Sequence, residues 1–395
     1  MEDILVKGTY ICSMNSIWYG NNFKLGVLGG GQLGRMLIQE AINYDVHVHC
    51  MDNDPDAPCS KIANSYTLGK LTDYDDVMNF GKDKDVITVE IEHVNVQALK
   101  ELEAAGVKVY PQPHILEMIQ DKGLQKEFYQ NNGIPTAPFA LVNSKEEIFD
   151  NLELLPVMQK LRKGGYDGKG VQAVKTEADI AHGFDGPCVL ESFVDFKKEL
   201  SVIVARNAKG EIKTFPTVEC EFSKELNLVE FLFSPAEISE EVEVRSQELA
   251  KEIIEKLDMV GILAIEYFLT QEDELLVNEI APRPHNSGHH TIEANLTSQF
   301  EQHLRAITNT PLGDTAIVQP GVMINVLGDP NYEGPTVYDG LDFVMQQAGA
   351  YAHMYGKAST KPNRKMGHIT VINPDLEKAK ETARVIKSRF KVISE

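Results

Sequence analysis

The chain has 395 residues and a formal net charge of −21, with 43% hydrophobic and 25% charged residues. This length predicts two or three domains rather than one compact core, and the acidic balance argues against a nucleic-acid or anionic-membrane surface, which needs a basic face. The five cysteines form no C-x-x-C pair and no apolar run reaches the roughly 18 residues that span a bilayer, so we expect a cytoplasmic protein.

The first predicted domain alternates strands and helices. Residues 1–23 lack the features of a signal peptide and are interpreted as an extension. Strands are predicted at residues 24–29, 46–51, 85–89 and 107–110, with an amphipathic helix at 32–44. Strands that alternate with helices indicate a parallel sheet with crossover connections. A helical bridge is expected from residue 114 to about 131.

The rest of the chain has a different pattern. Strand-like segments at 156–161 and 171–175 flank a glycine-dense loop, which predicts a small α+β domain. A longer α+β region follows, with a strand at 200–205, a helix at 244–257 and two strands at 262–268 and 274–279. The expected layout is therefore a three-part protein of mixed α/β and α+β class.

A glycine turn follows the first strand. Residues 29–34, GGGQLG, match G-x-G-x-x-G between a strand and a helix, and Asp52 ends the next strand. Such glycines let backbone N–H groups approach a phosphate at a helix N-terminus. Three interpretations stay open: a turn that only permits tight packing, a site for NAD, and a site for another phosphorylated ligand.

A second glycine-rich segment is more specific. Residues 160–170, KLRKGGYDGKG, place four glycines and the cations Arg162, Lys163 and Lys169 in one loop after a strand. Backbone donors together with lysines suit a nucleoside triphosphate. The alternative is a flexible basic surface loop. The sequence has no G-x-x-x-x-G-K-[ST], so the phosphate grip is not of the P-loop kind.

Two acidic residues are placed to bind a metal ion. Glu266 and Glu279 lie on neighbouring predicted strands, and hard oxygen ligands on one face suit Mg²⁺. The run APRPHNSGH, at residues 281–289, begins two residues after Glu279. In it, Arg283 offers a planar fork for a carboxylate, bicarbonate or phosphate. Its histidines lack the helical spacing of a zinc site. A late basic cluster holds Lys357, Arg364 and Lys365.

Four segments together resemble the N5-carboxyaminoimidazole ribonucleotide synthetase family of purine biosynthesis. They are GGGQLGRM at 29–36, RKGGYDGKG at 162–170, NEIAPRPHNSGHHT at 278–291 and GKASTKPNRKMGH at 356–368. The resemblance runs in order from about residue 24 to near the C-terminus. It implies an ATP-grasp fold with an N-terminal Rossmann-like (pre-ATP-grasp) domain at 24–130, a small lid domain at 131–190 and a large ATP-grasp and C-terminal α+β domain at 191–395.

The resemblance also implies a reaction. ATP phosphorylates bicarbonate to carboxyphosphate, and the amine of 5-aminoimidazole ribonucleotide captures the carboxyl group. The implied cofactors are ATP and Mg²⁺, with Mn²⁺ as an alternative metal. The implied partners are these small molecules and a second copy of the chain in a homodimer, with no nucleic acid and no membrane.

The residue roles below are carried over from the family's motifs. The implied catalytic residues are Arg283, Lys169 and Asp167. The implied ATP-binding residues are Lys122, Lys160, Gly165, Tyr166, Asp167, Gly168, Lys169, Gly170, Glu191, Ser192, Phe193, Val194, Glu199, Asn278 and Glu279. The implied substrate-binding residues are Gln32, Leu33, Glu90, Glu92, His285, Asn286, Lys357, Arg364 and Lys365. The implied metal ligands are Glu266 and Glu279.

One position departs from the pattern, because Phe222 stands where some family members place a histidine near ATP. Three rival functions remain. One is another ATP-grasp ligase or formate-dependent transferase acting on a purine-pathway ribonucleotide. Another is an NAD-dependent oxidoreductase, which leaves the loop at 160–170 and the acidic pair unexplained. The third is a nucleotide-sensing scaffold without chemistry.

Overall fold

The computed structural model describes residues 17–165, 170–223 and 228–395. Its N-terminal part is a five-stranded parallel sheet in the order β3-β2-β1-β4-β5. The strands are β1 (Lys24–Leu28), β2 (His47–Asp52), β3 (Ser65–Leu68), β4 (Val86–Val89) and β5 (Lys108–Val109), and the helices are α1 (Gln32–Asn43), α2 (Tyr74–Gly81) and α3 (Val96–Ala104). All four residues of β4 are buried, as expected for a strand with helices on both faces.

The predicted helical bridge is two helices, α4 (Pro113–Ile119) and α5 (Lys122–Asn131). The break has a local cause. The carboxylate of Asp121 caps α5 by accepting hydrogen bonds from the backbone N–H groups of Gly123 and Leu124, and an N-cap residue has non-helical backbone angles. The cap places Lys122 on the first turn of α5, facing the rest of the molecule.

A four-stranded antiparallel sheet follows, in the order β6-β9-β7-β8. Its strands are β6 (Phe139–Val142), β7 (Val157–Leu161), β8 (Val171–Val174) and β9 (Cys188–Ser192), with 3-10 helices at Glu146–Leu154 and Glu177–His182. The sheet packs on its own small core around Ile148, Val157 and Leu190. The glycine-dense loop joins β7 to β8.

The remaining strands form one nine-stranded sheet and a small three-stranded one. The strands are β10 (Phe196–Arg206), β11 (Ile212–Thr214), β12 (Val218–Phe222), β13 (Val229–Ser234), β14 (Gly261–Thr270), β15 (Leu275–Ala281), β16 (Gly321–Leu327), β17 (Gly334–Asp339), β18 (Ala350–Met354), β19 (Ser359–Thr360), β20 (Lys365–Ile372) and β21 (Lys391–Ser394). The helices are α6 (Glu240–Lys256), α7 (Thr291–Ala294), α8 (Gln299–Ile307), α9 (Leu341–Met345) and α10 (Leu376–Arg389), and Asn286–Gly288 is a 3-10 helix.

The nine-stranded sheet connects two parts of the chain that are far apart in sequence. Strand β13 pairs antiparallel with β16, so the strands before α6 continue into the C-terminal strands. The two largest cores on this sheet lie between α6 and strands β10, β14 and β15 and between α10 and strands β16 and β20. The predicted boundaries at residues 23, 130 and 190 stay predictions.

Most predicted elements match the structure within a few residues, and α6 differs because it begins earlier than expected. Ser239 caps it. The negative charges of Glu240, Glu241 and Glu243 in its first turn interact favourably with the positive end of the helix dipole and stabilise the helix. Within the described ranges Cys50, Cys59, Cys188 and Cys220 are buried free thiols, and no described helix is long and apolar enough to cross a bilayer.

Candidate active site

The glycine turn after β1 is occupied by two carboxylates of the chain itself. The backbone N–H of Gly30 donates to Asp52 at 2.7 Å. The N–H groups of Gly31 and Gly34 donate to the two oxygens of Glu90, the second at 2.6 Å. Burial raises the pKa of Glu90, and the two N–H groups partly offset this. A phosphate in this turn has to displace these carboxylates, so the turn is not an open phosphate site.

The fit between the turn and Glu90 requires glycine. A Cβ on Gly31 lies 2.5 Å from a Glu90 oxygen. We expect Gly31→Ala to lower the free energy of unfolding by about 1–3 kcal/mol, because the added Cβ clashes with the Glu90 carboxylate that the backbone N–H groups of the turn hold. Urea denaturation measures this. In the double variant with Glu90→Ala the penalty of Gly31→Ala becomes smaller, and an unchanged penalty contradicts the clash.

A buried ion network lies where β9 approaches α5. The Glu191 carboxylate, 3% exposed, accepts a hydrogen bond from the Lys126 ammonium at 2.9 Å and forms an ion pair with the Lys160 ammonium at 2.6 Å. Burial opposes ionisation of Glu191, yet the two lysines outweigh it and lower its pKa. Lys126 also donates to Thr136, which in turn donates to the carbonyl of Val277 on β15. The network therefore joins the small sheet to the large one.

The base of the glycine-rich loop is held to α5. The Arg162 guanidinium contacts the Asp121 carboxylate at 2.7 and 3.0 Å, and the backbone N–H of Lys122 donates to the Arg162 carbonyl. Lys122 extends to 3.7 Å from Glu279. Gly165 and Gly170 flank the tip of the loop, whose residues Tyr166, Asp167, Gly168 and Lys169 lie outside the described residues.

Three acidic residues lie on adjacent strands of the large sheet. Glu266 on β14 pairs in register with Glu279 on β15, and Glu199 lies on the neighbouring β10. Burial, followed by the charges of Glu279 and Glu199, raises the pKa of Glu266 to about 8, and burial raises that of Glu199 to about 7. The described residues contain no group of three histidine, cysteine or acidic side chains close enough to enclose a metal. An ion here would complete its shell with substrate oxygens.

The loop after β15 carries three polar side chains with defined partners. The Arg283 Nε lies 2.8 Å from Glu92. His285 lies 3.7 Å from Glu266 and its Nδ1 lies 2.9 Å from the Ser287 hydroxyl. Burial, then the charges of Arg283 and Lys365, lower the pKa of His285 to about 3, so its ring is neutral at pH 7.

The Asn286 amide makes a reciprocal pair with Asn325 of β16. Each Nδ2 donates to the other's Oδ1, at 2.7 and 2.8 Å. The second side chain also donates to the carbonyl of Val229. These bonds already use one donor and one acceptor of the Asn286 amide, and they fix its orientation between the loop and the C-terminal strands.

The predicted basic cluster lies on β20 and the segment before it. The Lys357 ammonium donates to the Lys365 carbonyl at 2.7 Å, and Arg364 donates to Ser359. Burial, then the neighbouring Arg364, lower the pKa of Lys357 to about 8, while Glu90 opposes this shift. Glu90 of the first sheet therefore lies close to the basic cluster.

The structure adds residues that the sequence reasoning missed. Lys126 lies one helical turn after Lys122, and this i, i+4 spacing was the available signal. Arg35, within GGGQLGRM, lies 3.5 Å from the position of a Cβ on Gly356. Asn325 had no local signal. The Leu33 side chain packs in the core formed by β1, β2, α1 and α8, so we expect its backbone to make any contact with a substrate. Phe222 also packs against a small core, around Cys220 and Leu232.

Three family models match the chain in order. A ribonucleotide synthetase preATP-grasp domain covers residues 23–120, an ATP-grasp domain covers 127–300, and a phosphoribosylaminoimidazole carboxylase C-terminal domain covers 321–382. The first match covers the parallel sheet, the second covers the four-stranded sheet and strands β10–β15 of the large sheet, and the third covers strands β16–β20.

Curated and solved relatives agree with these matches. The chain is 38% identical to the N5-carboxyaminoimidazole ribonucleotide synthase of Bacillus subtilis over 88% of this chain and 90% of that protein. It is similar to a synthetase structure from Thermotoga maritima (TM-score 0.87, 44% identity, 94% of this chain and 100% of the other). It is also similar to one from Aspergillus clavatus in complex with ADP and 5-aminoimidazole ribonucleotide (TM-score 0.85, 34% identity, 94% and 99%).

Proposed function

The chain belongs to the N5-carboxyaminoimidazole ribonucleotide synthase family of ATP-grasp ligases, and from this we propose that it carboxylates 5-aminoimidazole ribonucleotide with bicarbonate and ATP in purine biosynthesis. The observation that carries the proposal is the placement of Glu266 and Glu279 on paired strands, next to the Lys126–Glu191–Lys160 network. That combination provides metal ligands and phosphate-binding cations at one site.

ATP lies between the small and the large sheet. Lys122 and Lys160 approach its phosphates, and the backbone of residues 191–194 at the end of β9 contacts the adenine. Glu199 accepts hydrogen bonds from the ribose hydroxyls. The family resemblance assigns Asp167 and Lys169, which lie outside the described residues, to the phosphate-binding loop between β7 and β8. No NAD site is needed, because Asp52 and Glu90 already take the N–H groups of the glycine turn.

The acidic strands fit a magnesium ion. Glu266 and Glu279 offer carboxylate oxygens, and Asn278 stands beside them with a neutral amide oxygen. Burial, and then the charges of Glu279 and Glu199, raise the pKa of Glu266, and a divalent cation would favour the ionised carboxylate. Glu266 and Glu279 would hold Mg²⁺ or Mn²⁺ there, and the ion would supply charge neutralisation for phosphoryl transfer.

The chemistry needs no covalent enzyme intermediate. A bicarbonate oxygen attacks the γ-phosphorus of ATP, ADP leaves and carboxyphosphate forms. The ribonucleotide amine then attacks the carboxyl carbon, phosphate leaves and the nitrogen loses a proton. Arg283 binds the bicarbonate oxygens. Gln32, the Leu33 backbone, Glu92, His285 and Asn286 line the ribonucleotide site, and Arg364, Lys365 and Lys357 bind its phosphate. Positioning and electrostatics provide the rate enhancement.

The test is ADP release with ATP and Mg²⁺, with bicarbonate and 5-aminoimidazole ribonucleotide added separately and together. ADP release stimulated by the ribonucleotide, together with a carboxylated product seen by mass spectrometry, supports the proposal. Turnover only with a different ribonucleotide or with formate assigns the chain to a sister ATP-grasp activity. Light scattering tests the accompanying proposal of a homodimer.

The lowered pKa of Lys357 predicts that ribonucleotide binding depends on pH. Its lowered pKa of about 8 means that the ammonium is charged below pH 8 and neutral above it. We expect the KM for the ribonucleotide to rise roughly tenfold between pH 7 and 9.5, as a charge-assisted bond to the phosphate is lost. Lys357→Arg keeps its charge and flattens this rise, whereas Lys361→Arg, on the exposed part of the same segment, leaves the wild-type profile. A flat wild-type profile contradicts the role of Lys357.

A further inference from the structure

The guanidinium of Arg283 is occupied on both of its edges. Its Nε lies 2.8 Å from an oxygen of Glu92, and its Nη1 donates to the carbonyl of Pro284 at 3.1 Å. A guanidinium grips a carboxylate or phosphate best through two parallel donors on one edge. On the Nε–Nη2 edge the Glu92 carboxylate faces Nε as an ion pair, and on the Nη1–Nη2 edge Nη1 donates to the Pro284 carbonyl. In this arrangement neither edge offers two parallel donors to bicarbonate.

The ion pair between Arg283 and Glu92 can break so that each side chain binds another partner. The Arg283 Nε has no hydrogen-bond partner among the described residues, so its contact with the Glu92 carboxylate is an ion pair without a directed bond. Both side chains keep 21% of their surface exposed. Glu90, two residues earlier, differs because two backbone N–H groups hold its carboxylate. Glu92 is therefore the more exchangeable of the two acids in this segment.

The pair also joins two parts of the protein. Glu92 follows β4 of the first sheet, whereas Arg283 follows β15 of the large sheet. The ribonucleotide site proposed above takes Glu92 from the first of these, and the proposed bicarbonate site takes Arg283 from the second. The Glu92 carboxylate belongs to one proposed site and neutralises the Arg283 guanidinium of the other. The pair can therefore couple the two sites.

We infer that Glu92 gates Arg283, so that the bicarbonate grip is complete only when the ribonucleotide is bound. This rests on the proposed function. Without ribonucleotide, Glu92 holds Arg283. When the ribonucleotide binds, its amine and hydroxyl hydrogens donate to Glu92, and an edge of Arg283 is released to the bicarbonate anion. Carboxyphosphate then forms only when the amine that consumes it is present. Without such a gate, carboxyphosphate would form in the absence of the amine. Water would then convert it to bicarbonate and phosphate, and ATP would be lost by net hydrolysis.

Coupling of this kind is reciprocal, so bicarbonate and ribonucleotide favour each other's binding. Glu92→Gln tests it, because the amide has nearly the shape of the carboxylate but forms no ion pair with Arg283. We expect ADP release with ATP, Mg²⁺ and bicarbonate, and no ribonucleotide, to rise about tenfold over wild type. Glu92→Asp, with a shorter side chain, gives a smaller rise. Glu103→Gln, on the exposed surface of α3, leaves this background unchanged.

The outcomes separate the gate from the proposed function. Ribonucleotide-independent ADP release at or below the wild-type level in Glu92→Gln overturns the gate, provided that thermal unfolding shows a folded variant. If that variant does not fold, Glu92→Asp decides in the same way. A simple loss of ribonucleotide binding raises the KM without raising the background, and it too overturns the gate. Wild-type enzyme that forms no carboxylated product overturns the proposed function instead.

Discussion

Replacing Glu266 by glutamine is expected to reduce kcat by about 100-fold or more, because the amide keeps the shape of the side chain but removes a carboxylate from the metal-binding pair. Glu266 pairs in register with Glu279, and no third acidic, histidine or cysteine ligand completes a metal group within the described residues. Each of the two carboxylates therefore carries a large share of the binding. ADP release at saturating ATP measures the effect, and titration with Mg²⁺ is expected to show a higher requirement.

A loss of folding does not explain this result. In the absence of metal, burial and the charge of Glu279 oppose ionisation of Glu266, so a neutral amide there is compatible with the fold. The thermal unfolding of metal-free Glu266→Gln should match or exceed that of wild type. Glu272→Gln, on the exposed turn of the same hairpin, is the matched control and keeps full activity. A kcat of Glu266→Gln within about threefold of wild type contradicts the metal role.

Replacing Glu191 by glutamine is expected to lower the free energy of unfolding by about 3 kcal/mol, since it leaves two lysines near each other without their shared counter-charge. Lys126 and Glu191 are both almost fully buried, and burial already lowers the pKa of Lys126. Urea denaturation with its midpoint and slope measures the change. The KM for ATP should rise as well, because Lys160 loses the partner that positions it.

An exposed ion pair provides the comparison. Lys100 and Glu117 lie 2.8 Å apart with 39% and 54% of their side chains exposed, and such pairs contribute at most about 1 kcal/mol. Glu117→Gln is expected to leave stability and the KM for ATP nearly unchanged. If Glu191→Gln is as mild as Glu117→Gln, water reaches the network and the interpretation of Glu191 as a buried counter-charge is wrong.

The sequence by itself determined the classes of element and most of the motifs. The strand and helix around the glycine turn, the strand before the glycine-rich loop and the hairpin with Glu266 and Glu279 were all predictable, because periodicity and turn chemistry depend on neighbours in the chain. The resemblance to the ATP-grasp synthetases was carried by four contiguous segments. Family membership therefore needed no coordinates, and the comparisons confirmed it.

Only the tertiary structure decided which side chains meet. Glu90 accepts hydrogen bonds from a glycine turn that begins about 60 residues earlier in the chain. Glu92, after the first sheet, pairs with Arg283, after β15 of the large sheet. Lys126 of α5 pairs with Glu191 on β9 of the four-stranded sheet. Strand β13 joins β16 in one continuous sheet, which no local pattern indicated. The physical reason is that hydrogen-bonding and charge pairing between distant residues depend on how the sheets and helices pack. A carboxylate or lysine that is buried and paired has the same local sequence pattern as one on an exposed face, so the sequence does not distinguish the two.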